Sequence, residues 1–230
     1  MEKRIFRSPF FSVNPKAYLF GNELVDLAIE ADRLATAYDI DVFFTGQLID
    51  LPAVKANTKN LIVTAQHMDY LRPGRGMGSV LPEALVEAEV QAVSLNHVEK
   101  PLSLNVLAST IERANEVGLI TIVCADSAKE VAAVAQLKPD VIVCEQRKLI
   151  GTGVTTDEEY MTVTTKIVRS VDKNIKVVQA AGIKNGDDVY RLIKNGSDGT
   201  GSSSGIALNP SRNAILKEMI LGLVRARDQR

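Results

Sequence analysis

Along this chain, short apolar runs alternate with stretches in which apolar residues return at helical spacing. Runs rich in β-branched and aromatic residues fall at 10–13, 42–45, 61–65, 92–95, 119–124, 141–144 and 176–180. Each is short enough for a strand and apolar enough to be covered on both faces. Between them, 23–38, 48–56, 82–89, 107–117, 128–137, 158–171 and 187–194 carry the period of amphipathic helices. The punctuation agrees with that division. Pro82 suits a first helical turn, Gly118 a helix end, and Ser127 and Asn185 suit N-caps.

After the seventh helix the pattern weakens. Residues 214–224 form a clear amphipathic helix, but ahead of it only 197–201 remain for an eighth strand. That run is glycine- and serine-rich, and its composition also suits a flexible linker. Eight strand–helix units in 230 residues favour a closed (β/α)₈ barrel, a single α/β domain over residues 1–230, rather than an open doubly wound sheet. No GxGxxG follows the first strand, which further disfavours dinucleotide binding.

Composition narrows the classes of function. A formal net charge of −1 with Lys and Arg spread along the chain gives no footprint for nucleic acid. The N-terminus MEKRIFRSPFF has no long apolar core, and no stretch approaches membrane-spanning length, so a cytoplasmic protein is expected. Cys124 and Cys144 each close an apolar run and read as two buried free thiols.

In a parallel barrel the C-terminal strand ends converge on one mouth, and polar residues gather there. The first strand runs into Asn14 and Lys16, two residues apart, which share a side if the strand continues. A lysine aimed into such a mouth calls for an anion, a phosphate or an oxygen gaining charge. His97 closes the fourth strand, between Asn96 and Glu99, and can serve as acid, base or neutral donor. His67 lies beside Gln66 in a polar loop and reads as structural. Glu145 ends the sixth strand, where a dry setting raises a carboxyl pKa and suits it to act as a base. The following QRKLIGTG has an apolar tip, Leu149–Ile150, and glycines that tolerate backbone change, as in a movable loop. Glycine-rich turns after the last two strands, AAGIKNG and GTGSSSGI, offer backbone N–H groups to a phosphate.

Taken together, VNPKAY, LNHVEK, CEQRKLIGTG, AAGI and GSSSG, in this order and spacing, resemble triosephosphate isomerase, most closely its short archaeal form. AQHMDYLRPGRGMGSVLPEA resembles that family's third loop. The resemblance implies Glu145 as base, His97 as neutral electrophile and Lys16 as cation. It also implies Asn14, Ile150, Gly151, Gly182, Ser203 and Ser204 as substrate-binding residues. It further implies no metal or organic cofactor, a small phosphorylated sugar as substrate, and a homodimer or homotetramer joined through the loop carrying Pro73, Arg75 and Met77. The activity so implied is interconversion of glyceraldehyde 3-phosphate and dihydroxyacetone phosphate. The other readings are an isomerase of a related phosphorylated ketose and a weakly catalytic binder of phosphorylated metabolites. There are three departures from the family pattern: Val98 stands for a serine, Gln146 and Arg147 for a proline hinge, and Met77 for a threonine.

Overall fold

The computed structural model describes residues 3–229. Eight parallel strands pair in chain order: β1 (Phe10–Val13), β2 (Val42–Gly46), β3 (Ile62–Ala65), β4 (Ala92–Leu95), β5 (Ile120–Ala125), β6 (Val141–Cys144), β7 (Lys176–Gln179) and β8 (Gly199–Ser202). β8 returns to pair with β1, closing the barrel. The intervening helices are α1 (Gly21–Tyr38), α2 (Leu51–Asn57), α3 (Pro82–Glu87), α4 (Leu104–Val117), α5 (Ala128–Gln136), α6 (Glu158–Val171) and α7 (Gly186–Lys194). A single turn, α8 (Ser204–Ala207), and the long α9 (Arg212–Arg227) follow β8. The expected caps are in place. The Ser127 and Asn185 side chains accept from the N–H groups of Glu130 and Asp188, and Gly118 ends α4 with a left-handed φ of 83°.

The linker reading of the eighth segment is wrong. Phe10 pairs with Gly199 and Ser12 with Gly201, and these glycines are what let the strand fit. A Cβ on Gly199 would stand 2.5 Å from the Phe10 ring, and one on Gly201 2.2 Å from the Ser12 carbonyl oxygen. The polar residues of β8 are satisfied within the fold: Thr200 donates to the Gln179 carbonyl and Ser202 to that of Ile183, each at 3.0 Å. The ordered strand begins at Gly199, two residues later than the sequence suggests.

Two apolar regions hold the molecule. The larger lies between the sheet and the helices. The smaller fills the lower barrel interior, with Phe10, Phe43, Ile62, Ile120, Val141 and Val178 among its members. Phe6, just before β1, packs edge-on against Phe10 and Phe43 with ring centres 5.4 and 5.1 Å away. Cys124 and Cys144 are both buried and free. No helix among the described residues is long and apolar enough to cross a membrane.

α7 and α9 approach through glycine. A Cβ on Gly222 would lie 2.0 Å from the Gly186 carbonyl oxygen, a backbone atom that cannot step aside. Gly222→Ala adds helix propensity of about 1 kcal/mol, yet the overpacking outweighs it. Urea unfolding is expected to show a net loss of about 2 kcal/mol. An unchanged or raised midpoint would contradict this helix contact.

Candidate active site

A cavity of about 530 Å³ opens at the C-terminal strand ends and descends to an apolar floor that includes Phe43, Ile122 and Val178. Every candidate from the sequence lines it: Asn14, Lys16, His97, Glu145, Ile150, Gly151, Gly182, Ser203 and Ser204.

Lys16 gets there by a different route from the one its spacing suggests. β1 stops at Val13, and Pro15, which has no N–H, breaks the ladder before Lys16. Lys16 sits in the left-handed region at φ 51°, costing a non-glycine residue about 1–2 kcal/mol. Three side chains hold it there. Asn14 Oδ1 accepts the Lys16 N–H at 3.1 Å, while the Gln47 and Gln66 amides donate to its carbonyl at 3.2 and 2.9 Å. The ammonium meets Glu99 Oε1 at 2.8 Å, so Lys16 does not simply reach out to solvent. Asn96 and Ala181, beside His97 and Gly182, also carry positive φ, at 56° and 81°, and backbone strain of this kind clusters at functional sites.

His97 is fixed by a backbone bond. The Glu99 N–H donates to His97 Nδ1 at 3.1 Å, which makes that nitrogen the acceptor and leaves the proton of the neutral ring on Nε2. Val98 does not impair this contact, because the donor is main chain. Asn96 braces the turn, donating to the Cys124 carbonyl and to Glu130 and accepting from the Leu102 N–H at 3.0 Å. Burial, aided by the Lys16 charge, lowers the His97 pKa, with Glu99 opposing.

Glu145 lies across from it, its Oε2 3.7 Å from His97 Nε2. The side chains of Lys16, His97 and Glu145 are only 16%, 16% and 18% exposed. Burial raises the Glu145 pKa, Lys16 partly offsets that, and Glu99 and Asp126 add to it. A carboxylate held in this way is a stronger base than one in water. Glu99 goes the other way: burial pushes its pKa up, but the hydrogen bond and charge of Lys16 outweigh this and hold it low.

The loop after Glu145 has two anchored feet. Arg147 donates its N–H to Asp126 Oδ1 at 3.0 Å, and the Tyr160 hydroxyl donates to the Asp126 carbonyl. Gln146 takes φ −69°, a value proline would also adopt. At the far foot, a Cβ on Gly182 would fall 2.0 Å from the Val154 carbonyl oxygen, so only glycine permits this backbone approach. Thr156 donates to the Ala180 carbonyl at 2.9 Å. Ser203 Oγ, on the facing turn, is buried with no hydrogen-bond partner among the described residues. Ser204 and Gly205 open the next helical turn, where N–H groups lack helical acceptors. These donors, with Gly151 and Gly182, suit an anion with several oxygens.

A family model for triosephosphate isomerase matches residues 9–218. The chain belongs to the triosephosphate isomerase family. It is 32% identical to the triosephosphate isomerase of Methanocaldococcus jannaschii, over 90% of this chain and 97% of that protein. Against the Sulfurisphaera tokodaii enzyme of the same name it is 31% identical, over 97% and 99% of the two chains. Against that of Methanothermus fervidus it is 31% identical, over 92% and 97%.

Sequence reasoning missed three members of the triosephosphate isomerase-like site. Gln47 and Gln66 follow β2 and β3 directly, the same strand-end position that marked His97 and Glu145, yet amides there look like loop residues. Glu99 was visible next to His97, but its pairing with Lys16 spans a separation of 83 residues. His67 does remain outside the cavity lining, 3.3 Å from Asp69.

The lowered His97 pKa has a direct readout. In ¹⁵N-resolved NMR of the imidazole, the titration midpoint should fall below the usual 6.5, with Nε2 protonated in the neutral ring. A midpoint above 6.5, or a proton on Nδ1, would contradict this arrangement.

Proposed function

We propose that this chain interconverts glyceraldehyde 3-phosphate and dihydroxyacetone phosphate by proton transfer between adjacent carbons. One observation carries the reading: His97 Nε2 and Glu145 Oε2 lie 3.7 Å apart in the lining of one cavity, which Lys16 also lines. The two groups stand side by side on the cavity lining, so a carbonyl compound seated in the cavity can present its acidic C–H to the carboxylate and its oxygens to the imidazole. A carboxylate base paired with a neutral imidazole is the established division of labour in this family, which is its type case.

In this reading Glu145 removes the proton from the carbon beside the carbonyl. The electron pair moves into a carbon–carbon double bond and onto the carbonyl oxygen, giving an enediolate. His97 donates its Nε2 proton to that oxygen and regains one from the neighbouring hydroxyl. Glu145 then returns its proton to the other carbon. Over the whole cycle the substrate gains and loses no atoms or electrons on balance, and Glu145 and His97 end in their starting protonation states. Lys16 supplies positive charge to the developing oxyanion, and its held backbone means little reorganisation is needed at the moment of reaction. Asn14 holds the lysine turn, while Ile150, Gly151, Gly182, Ser203 and Ser204 receive the phosphate.

No observation favours an isomerase of another phosphorylated ketose, or a mere binder of phosphorylated metabolites, over this reading. A binder would have no use for a base with a raised pKa opposite a neutral imidazole. Purified protein should interconvert the two triose phosphates. Glu145→Gln should lower kcat by about 10³-fold and His97→Gln by about 10²-fold. Turnover within tenfold of wild type in Glu145→Gln would end the proposal.

A homodimer or homotetramer, and a cytoplasmic setting, accompany the reading. Exposed apolar side chains sit on three consecutive loops: Tyr18 and Phe20 after β1, Ile49 after β2, and Tyr70 and Met77 after β3. At the base of the third loop the Asp69 N–H donates to the Val80 carbonyl, the Val80 N–H donates to Asp69 Oδ2, and Arg113 donates to the Leu71 carbonyl. Light scattering should give at least a dimer, and Met77→Asp should shift it toward monomer. A monomer at all concentrations for the unaltered chain would refute this assembly.

A further inference from the structure

Lys184 has no role in the chemistry described above, yet it lines the same cavity as Lys16, Gly151 and Ser203. It stands in the turn between β7 and α7, its backbone fixed by donation of its N–H to Asp188 Oδ2 at 3.0 Å. Its side chain crosses the returning limb of the loop after Glu145. A Cβ built on Gly153 would stand 2.9 Å from Lys184 Cδ and 3.3 Å from both Cε and Nζ. Gly153 therefore does two things: it adopts φ 71°, and it leaves the path of the lysine clear. Among the described residues, no carboxylate lies within ion-pair distance of this ammonium. The carboxylates that line the cavity, Glu99 and Glu145, face Lys16 and His97 instead.

The charge distribution of the cavity then becomes uneven in a useful way. Lys16 is already shared with Glu99, so its cation is partly neutralised. A phosphate monoester carries close to two negative charges and three acceptor oxygens near neutral pH. Backbone N–H groups and the buried Ser203 hydroxyl satisfy oxygens but bring no net charge. A second cation on the loop side completes the match, and a flexible lysine suits a point-charge contact.

We propose that Lys184 is a specificity-determining residue that binds the phosphate group of the substrate, drawn across Gly153 so that its ammonium and the loop backbone act on the same group. This rests on the isomerase reading for the identity of the substrate, but not for the identity of the ligand group.

The probe is inorganic phosphate, titrated by NMR into wild type, Lys184→Met and Lys184→Arg, alongside steady-state kinetics on triose phosphates. Lys184→Met keeps most of the stem and loses the charge. It should weaken phosphate binding about tenfold, the scale of one partly exposed charge-assisted contact. KM should rise by a similar factor, with the loss in KM rather than kcat. The salt dependence of kcat/KM should become shallower, and Lys184→Arg should recover most of the affinity. Phosphate binding and KM within twofold of wild type in Lys184→Met would overturn the proposal. So would wild type with no measurable phosphate binding. A lowered melting temperature with unchanged phosphate affinity would also overturn it, since Lys184 would then serve only as packing on Gly153. If wild type binds phosphate through Lys184 but does not interconvert triose phosphates, the isomerase reading fails and this one stands.

Discussion

Every functional distance in this molecule depends on the sheet closing between β8 and β1. The two strands run side by side in register from Phe10 opposite Gly199 to Val13 opposite Ser202. The next bond, Asn14 N–H to the Ser202 carbonyl at 3.2 Å, already belongs to the loops. It ties the turn that carries Lys16 to the turn that carries Ser203 and Ser204. Glycine in a strand costs roughly 0.5–1 kcal/mol in lost chain freedom. Here that cost is offset by a closed ladder with no exposed edge and by a mouth of fixed diameter.

Closure also creates an electrostatic problem, which the site turns to use. A lysine, a histidine and two carboxylates face one another over an apolar floor, where unpaired charge is expensive. Lys16 settles the ordering. Its charge holds Glu99 ionised, helps keep His97 neutral and only partly relieves the burial of Glu145. The result is a carboxylate ready to take a proton beside an imidazole ready to give one. The same cation must therefore sit correctly for both, which explains why an energetically unfavourable backbone conformation is held by Asn14, Gln47 and Gln66 together.

The sequence was most informative where burial and local spacing coincide. β1, β4 and β6 end where their apolar runs end, and the caps at Ser127 and Asn185 depend on neighbours only three residues away. β8 was obscure because its glycines encode closeness to Phe10 and Ser12, not burial of their own side chains. Lys16 reached the mouth, but period-two reasoning assumed a strand that Pro15 interrupts. The helix boundaries shifted for similar local reasons: α4 begins at Leu104 and α9 at Arg212, while 48–56 divides into a tight turn, Leu48–Asp50, and α2. Lys184 lies within AAGIKNG, a turn marked by its glycines, but nothing in that run marks the lysine side chain, whose place follows only from the packing of two loops.

The departures at Val98 and at Gln146–Arg147 fall where the backbone, not the side chain, does the work. The bond that orients His97 comes from the Glu99 N–H, so a valine at 98 leaves it intact. At the loop hinge, Gln146 already has a proline-like φ, and the next residue is tied to Asp126 through its main-chain N–H. The opposite foot is held by backbone contact between Val154 and Gly182. Between the two feet, the hydrogen bonds of Ile150 to the Arg147 carbonyl and of Thr152 to the Leu149 carbonyl are internal to the loop. A proline at the hinge would limit the freedom of the unfolded chain but would not supply geometry that is missing here. The loop can therefore lose that residue and still hold Gly151 in the lining of the cavity.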